Sequence, residues 1–157
     1  MTDRSRPARN ADSSPASNPA NDAAEEAARH CRMLPHPAPS NEERRLLLFA
    51  FRRMAQHGLR DAIAAERMLG RYGVHYRGPL VLLRAFVLEL AQSGERNIAI
   101  AHCCMPRMTA DEAAILDILA SPAASRNRLA ALMGGADPAH AQQIAGCLSD
   151  KLAAAQA

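Results

Sequence analysis

The apolar positions after residue 40 recur with the spacing of an α-helix. They stand at i, i+3, i+4 and i+7, which places their side chains on one face. A capping box of Ser40 and Glu43 predicts the start of this helix, and Gly58 predicts its end. The buried stripe is expected to consist of Leu47, Ala50, Phe51 and Met54.

Two further helices are predicted in the middle of the chain. The first runs from about Leu59 to Tyr72 and ends at the glycine that follows. The second opens at Gly78-Pro79, because a proline in the first turn of a helix loses no hydrogen bond. Ten of the twelve residues from 80 to 91 are apolar and lie on all sides of this helix. It is therefore expected to be buried on every side and to be the central element.

The last third of the chain is also predicted to be helical. A second capping box and pairs of proline and glycine residues mark where its helices start and end. Helix starts are predicted at Thr109, Ser121-Pro122 and Asp137-Pro138. Thr109 forms the capping box with Glu112, and a break is predicted at Gly134-Gly135. The predicted fold class is mainly α, a compact bundle of about five to six helices.

A short two-stranded element is the one alternative to an all-helical fold. Residues 73–76 (GVHY) and 97–101 (NIAIA) combine apolar and β-branched side chains. A helix between them would make a parallel pair through one right-handed crossover. Two strands of this length form a weak sheet, so the element is predicted only as an addition to the bundle.

The first forty residues differ in composition from the rest of the chain. Residues 1–20 have hardly an apolar side chain and are predicted to be a disordered tail. Residues 21–39 contain a short helical pattern and then a proline at every second position, so a short helix and an extended Pro-rich linker are expected. A single helical domain is predicted over residues 40–155.

Four stretches of the chain carry a family resemblance. They are LPHPAP, RRMAQHGLRDA, GPLVLLRAFVLELA and CCMPRMTADEA. Over about residues 34–120 the chain resembles a group of small, uncharacterised bacterial proteins without assigned function. The resemblance implies one helical domain in this region, and it implies no activity.

Positive charge is concentrated in the middle of the chain. Residues 41–108 carry eleven arginines against six acids, a net charge of +5, whereas the whole chain carries +3. Such an excess is typical of surfaces that bind nucleic acid or acidic partners, and the last two helices have the outline of a helix-turn-helix unit. That unit is poor in the phosphate-binding side chains on which DNA affinity depends. A solvated arginine-rich helix face is therefore favoured over nucleic-acid binding.

Several classes of protein are disfavoured by what the sequence lacks. The N-terminus has no apolar stretch typical of a secretory signal, and the most apolar segment is too short and too charged to span a bilayer. A cytoplasmic location is therefore expected, with the four cysteines reduced. Phosphate-binding glycine loops and the common hydrolase motifs are missing. No catalytic residue and no cofactor-binding residue is predicted, and the protein is expected not to be an enzyme.

The segment His102-Cys103-Cys104 holds adjacent side chains that bind metals. Zinc or iron would use such ligands, with help from Cys31 across the linker. Side chains of neighbouring cysteines generally point apart, however, and no C-x2-C pair occurs in the chain. Free cysteine is among the most buried residue types. A packed pair of thiols is therefore favoured over a metal site or a redox-active thiol.

A reactive thiol at Cys104 is an alternative that its position favours. Cys104 lies just before the helix predicted at Thr109, with Arg107 close by in sequence, and both features would lower the pKa of the thiol. A nucleophilic cysteine also needs a base and a group that orients the base. The sequence shows neither, so reactivity stays a secondary hypothesis.

Four arginines are candidates for binding an anion. One of them interrupts the most apolar helix, where a charge must be paired, reach the surface or bind a ligand; an ion pair with an acid of the first two helices is favoured there. Two others fall on a different face of the first helix from its buried stripe. The candidates are Arg45, Arg52, Arg84 and Arg107.

The leading functional hypothesis is a non-enzymatic cytoplasmic interaction or regulatory protein. It would bind a protein partner or form a homo-oligomer through aliphatic helix faces. The second hypothesis is a metal- or thiol-dependent regulator that uses Cys103 and Cys104. The third is a nucleic-acid-binding protein that uses the arginine-rich helices or the C-terminal unit.

Overall fold

The computed structural model describes residues 34–155, and within them six α-helices and one two-stranded sheet. The predicted tail over residues 1–20 and the short helix before residue 34 lie outside the described residues. A 3₁₀ turn, Gly73–His75, joins the second helix to the third. The elements are β1 (His36–Pro37), α1 (Glu42–His57), α2 (Ala62–Tyr72), α3 (Arg77–Ser93), β2 (Arg107–Met108), α4 (Ala110–Ala120), α5 (Arg126–Leu132) and α6 (Ala139–Ala154).

The prediction of a mainly α fold is confirmed, and its core lies between α3 and the surrounding helices. All four residues of the predicted α1 stripe are buried, as are Leu83 and Phe86 of α3. The most extensive helix pair is α3 with α6. These two helices are antiparallel, because Gly78 lies against Lys151 while Glu89 contacts His140 near the other end.

One face of α3 is open to solvent, so the expectation that this helix is buried on every side is wrong. Val81 is 59% exposed and Leu88 is 39% exposed. The helices that cover α3 leave the line through these two residues uncovered. Because apolar side chains occur on all sides of α3, the sequence does not indicate which side is exposed to solvent.

Side-chain caps define the helix starts, and one of them differs from the prediction. Asn41, not Ser40, caps α1, since its Oδ1 accepts the N–H of Arg44 at 2.9 Å. The box of Thr109 and Glu112 at α4 is present as predicted, with both reciprocal hydrogen bonds formed.

The later boundaries follow the glycine and proline signals in part. The break at Gly134-Gly135 is confirmed, and both glycines adopt positive φ angles of 80° and 102°. The last helix starts after Pro138, as predicted. Ser121-Pro122 does not start a helix, because Ser125 donates its N–H to the Pro122 carbonyl in a turn and α5 begins only at Arg126.

The predicted parallel strands at 73–76 and 97–101 are wrong. The first segment is largely a 3₁₀ turn, and the second pairs with no strand of the described residues. Its backbone is satisfied by side chains instead: Ala99 donates its N–H to Asp111, and Ala101 donates to Glu112, at 2.7 and 3.0 Å. Acids at the start of α4 thus take the place of a neighbouring strand.

The sheet that does form is antiparallel and uses the segment expected to be a linker. His36 pairs with Met108 and Pro37 with Arg107. The Arg107 side chain also donates to the carbonyls of Leu34 and Pro35, at 2.7 and 3.0 Å. Residues 34–39 are extended, as predicted, and they form part of the fold.

A buried ion pair joins α1 to α4. The Arg52 guanidinium donates through Nε to Oε1 of Glu112 at 2.7 Å and through Nη2 to Oε2 at 2.8 Å. The two side chains are only 3% and 0% exposed. Arg52 does lie away from the apolar stripe of α1, as expected, but the connection between α3 and α4 covers it.

The same ion pair also forms hydrogen bonds with the backbone of the connection between α3 and α4. Arg52 Nη1 donates to the Met105 carbonyl at 2.8 Å, and Nη2 donates to the Arg107 carbonyl at 2.7 Å. Glu112 accepts the N–H groups of Ala101 and Thr109. Four backbone groups of residues 101–109 are therefore bonded to these two charged side chains.

Removing one member of the pair should destabilise the protein strongly. Arg52→Met leaves the Glu112 carboxylate buried without its partner, and we expect a loss of about 3–5 kcal/mol in the free energy of unfolding. The double variant Arg52→Met/Glu112→Leu should lose less than the sum of the two single variants, because neither charge is then left unpaired. Urea unfolding measures the free energy of unfolding of all three variants. A loss in the double variant equal to the sum of the two single losses would contradict direct coupling of the two side chains.

The open face of α3 gives a matched test of the core. Leu83→Ala and Phe86→Ala should each lower the free energy of unfolding by about 2–5 kcal/mol, because both leave cavities. Val81→Ala on the same helix should change it by less than about 0.5 kcal/mol, because its side chain is exposed. Similar losses at Val81 and Leu83 in urea unfolding would show that the assignment of faces is wrong.

Candidate metal centre

The segment with adjacent histidine and cysteines forms a tight turn. The N–H of Met105 donates to the His102 carbonyl at 3.0 Å, so Cys103 and Cys104 occupy the two central positions of a β-turn. Gln56 of α1 donates to the carbonyl of the residue before the turn, Ala101, at 2.8 Å. With Arg52 bonded to the last residue of the turn, both ends are fixed to α1.

This turn brings three metal-binding atoms together. The two sulfurs are 3.6 Å apart, and Sγ of Cys103 lies 3.8 Å from Nδ1 of His102. The ligand atoms of all three residues lie within 4.8 Å of one another. The expectation that the neighbouring cysteines point apart is therefore wrong for this turn.

Two of the three distances match those of a tetrahedral zinc site. Zn–S bonds of about 2.3 Å and Zn–N bonds of about 2.0–2.1 Å separate two sulfurs by about 3.8 Å and a sulfur from a nitrogen by about 3.6 Å. The Cys103–Cys104 and Cys103–His102 separations agree with these values to within a few tenths of an ångström. The ligand atoms of the remaining pair, His102 and Cys104, lie within 4.8 Å of each other, so a side-chain adjustment of about 1 Å would bring all three atoms to one ion.

The site is accessible, which argues against a packed pair of thiols. Cys103 is half-buried, while His102 and Cys104 are exposed. Three ligands leave a fourth coordination position for water or another donor. Cys31, the candidate fourth ligand, lies outside the described residues. The antiparallel register carries Pro35 and Leu34 away from Cys104 along β2.

The electrostatics of the turn do not favour a reactive Cys104. The pKa of the Cys104 thiol is raised, chiefly because the Cys103 sulfur shares a hydrogen bond with it and adds like charge. Arg53 and Arg52 act in the opposite direction but do not outweigh this effect. The expected lowering by a helix N-terminus and by Arg107 is wrong. The helix begins only at residue 110, and the Arg107 guanidinium donates to carbonyls of the β1 segment.

Arg53 is a neighbour of the site that the sequence did not indicate. Its guanidinium donates to both carboxylate oxygens of Asp61, at 3.2 and 2.6 Å. The pKa of Arg53 is raised, first by Asp61 and also by Cys103, which lies beside it. Asp61 also caps α2 by accepting the Ala64 N–H. A cation fixed by its ion pair with Asp61 therefore stands next to Cys103.

The four anion-binding candidates do not form one site. The guanidiniums of Arg52 and Arg107 are bonded within the protein. Arg84 is half-buried and forms no ion pair among the described residues, contrary to the favoured interpretation; its Nε is buried without a hydrogen-bond partner. Arg45 is exposed and lines a groove between α1 and α2.

The C-terminal pair of helices uses its polar residues for internal contacts. His140 contacts Glu89 of α3 at 2.8 Å, and Gln142 donates to the Pro122 carbonyl at 3.1 Å. These are two of the side chains that a recognition helix would direct at bases. Their contacts disfavour the helix-turn-helix interpretation.

Gln56 and Arg53 were missed by sequence reasoning. They approach the turn across 45 or more residues of chain, and neither belongs to a local motif.

Within residues 34–155 no helix is long and apolar enough to cross a membrane.

Comparison with known families extends the resemblance noted from the sequence. A family model described as a family of unknown function (DUF6628) matches residues 26–155, a longer span than the predicted 34–120. No curated protein and no solved structure matches the chain. Because the match covers most of the 157 residues, the chain belongs to this family of unknown function.

Proposed function

We propose that this protein is a metal-binding regulatory protein that holds one zinc ion at the His102–Cys104 turn. The observation that carries the proposal is the convergence of an imidazole nitrogen and two sulfurs within 4.8 Å of one another, with both separations from the Cys103 sulfur close to those of a tetrahedral site. The proposed role is regulation, because an ion bound by the folded turn would stabilise the connection that carries it.

The ligand set selects the class of metal. Thiolates and imidazole suit zinc, copper(I) and iron, whereas magnesium and calcium take oxygen ligands. Zinc is the favoured ion because it takes two cysteines and one histidine in tetrahedral geometry without a change of oxidation state. Iron is the alternative for the same ligands.

A disulfide between Cys103 and Cys104 is less well supported than a metal. Consecutive Cα atoms are about 3.8 Å apart, whereas disulfides usually join Cα atoms about 4.4–6.8 Å apart. The ring that adjacent cysteines would form is therefore strained and easily reduced. We also propose that the protein is cytoplasmic, and that compartment would keep both thiols reduced.

Metal binding would stabilise the connection that carries the ligands. Residues 101–109 have little regular secondary structure of their own and depend on side chains of α1 and α4. An ion bound only by the folded turn adds its binding free energy to the stability of the protein. Because His102 and Cys104 are exposed, a donor from a partner could complete the coordination of a bound ion.

The test is a zinc titration of the reduced protein in competition with a chromophoric chelator. We expect one equivalent to bind and to raise the melting temperature, because the metal binds the folded state. Cys104→Ser should weaken binding by more than the roughly 10–100-fold that the loss of an outer-shell partner costs. His102→Ala should also weaken it. Cys147→Ser is the matched control, since Cys147 is an exposed cysteine outside the site, and it should leave zinc affinity unchanged.

Alkylation of the native protein gives an internal control. Zinc should protect Cys103 and Cys104 from iodoacetamide, because a coordinated thiolate is a poorer nucleophile, while Cys147 stays reactive in the same sample. Peptide mass spectrometry reports each cysteine separately. Less than half an equivalent of zinc, or equal loss of affinity in Cys104→Ser and Cys147→Ser, would contradict the proposal.

A further inference from the structure

A second surface, independent of the turn, lies between α1 and α2. These helices are antiparallel, since Arg53 contacts Asp61 while Glu43 accepts a hydrogen bond from Tyr72 nearer the other end. Between the first half of α1 and the second half of α2 they enclose a groove of about 750 Å³. Its volume is within the range of about 300–1,000 Å³ that is typical of ligand sites.

The arginines of the groove outnumber its two glutamates, Glu42 and Glu66. Arg45, Arg67 and Arg71 line the groove, and none of them forms an ion pair within the described part of the chain. Arg67 lies over the Phe49 ring and Arg71 over the Tyr72 ring, each 5.7 Å from the ring centre. Such contacts hold a guanidinium in place, and its planar fork matches a carboxylate.

An apolar strip lies beside these cations. Leu46 and Phe49 of α1 are half-buried, and Leu69 of α2 is 46% exposed. A ligand that fills the groove must therefore cover apolar side chains as well as pair with arginines.

A glycine in the last turn of α2 forms part of the groove wall. Gly70 lines it, has no positive φ, and a Cβ added there would meet no atom within 4 Å. Glycine inside a helix costs about 0.5–1 kcal/mol relative to alanine, and neither packing nor backbone geometry requires it here. Gly146 of α6 is equally free of contacts and lies away from the groove, so it provides a control.

We propose that this groove binds an acidic amphipathic helix of a partner protein. The carboxylates of that helix would pair with the three arginines, and its apolar side chains would cover the strip beside them. A groove between two helices accepts a third helix in this way. The proposal goes beyond metal binding and does not depend on it.

Two features favour an acidic helix over nucleic acid. Glu42 and Glu66 stand towards the two ends of the groove, where they would repel a continuous phosphate backbone but not a helix with a central acidic patch. The Phe49 face is already covered by Arg67, so it is not free to stack on a base.

Fluorescence anisotropy with a labelled model peptide tests the proposal. The probe is a blocked helical peptide of alanine, leucine and glutamate, and its matched peptides replace glutamate by lysine or leucine by alanine. We expect only the leucine–glutamate peptide to bind, with an affinity that falls as salt is added. Arg45→Ala and Arg71→Ala should each weaken binding by about tenfold or more. Arg60→Ala removes an exposed arginine that does not line the groove and should have no effect.

Gly70→Met and Gly146→Met form a second matched pair. The first side chain enters the groove and should abolish peptide binding, whereas the second should leave it unchanged. Urea unfolding confirms that each variant is folded, and Cys104→Ser should bind the peptide normally.

Four results would overturn the proposal. They are no binding of the peptide, equal binding of the peptide that lacks leucine, tighter binding of a single-stranded oligonucleotide, and a homodimer that Arg71→Ala dissociates.

Discussion

The structure depends on one buried ion pair, Arg52 with Glu112. Removing two charges from water is costly, and in a protein interior the cost is offset only when the remaining donors and acceptors are also satisfied. Here they are satisfied by the connection between α3 and α4: Arg52 donates to two of its carbonyls, and Glu112 accepts two of its N–H groups. Apolar residues of the same size would fill the space, but they would leave those four backbone groups without partners.

The candidate metal centre is a consequence of this arrangement. A turn on a free loop would have to lose conformational entropy before it could bind an ion. The His102–Cys104 turn is bonded at both ends to α1, through Gln56 and Arg52, so part of that entropy has already been lost in folding. Preorganisation of this kind raises affinity without adding a ligand. The buried pair therefore supports the site without contacting the metal.

Features that depend on neighbours in sequence were predictable, and features that depend on distant contacts were not. The α1 stripe, the Thr109 capping box and the Gly134-Gly135 break follow from local spacing. The sheet was mispredicted because Ala99 and Ala101 bond to carboxylates of α4 instead of to a strand. Arg52 and Glu112 are 60 residues apart. Glu112 already had a role in its capping box, so the sequence offered no reason to assign it a second. The direction of the two sulfurs follows from the turn, which no residue pattern marks.

The arginines that make the central region positively charged have two different roles in the structure. Arg52 and Arg53 are paired with acids inside the fold, whereas Arg45 forms no ion pair with residues 34–155 and faces the groove. Arg45, Arg52 and Gln56 stand at i, i+7 and i+11, so they share one face of α1. The first half of that face forms a wall of the groove, and the second half bonds to the connection that carries the candidate metal centre. The distance along the axis is about 10 Å from Arg45 to Arg52. A single rigid helix therefore positions both proposed sites, and a ligand at either one acts on the same element of the core.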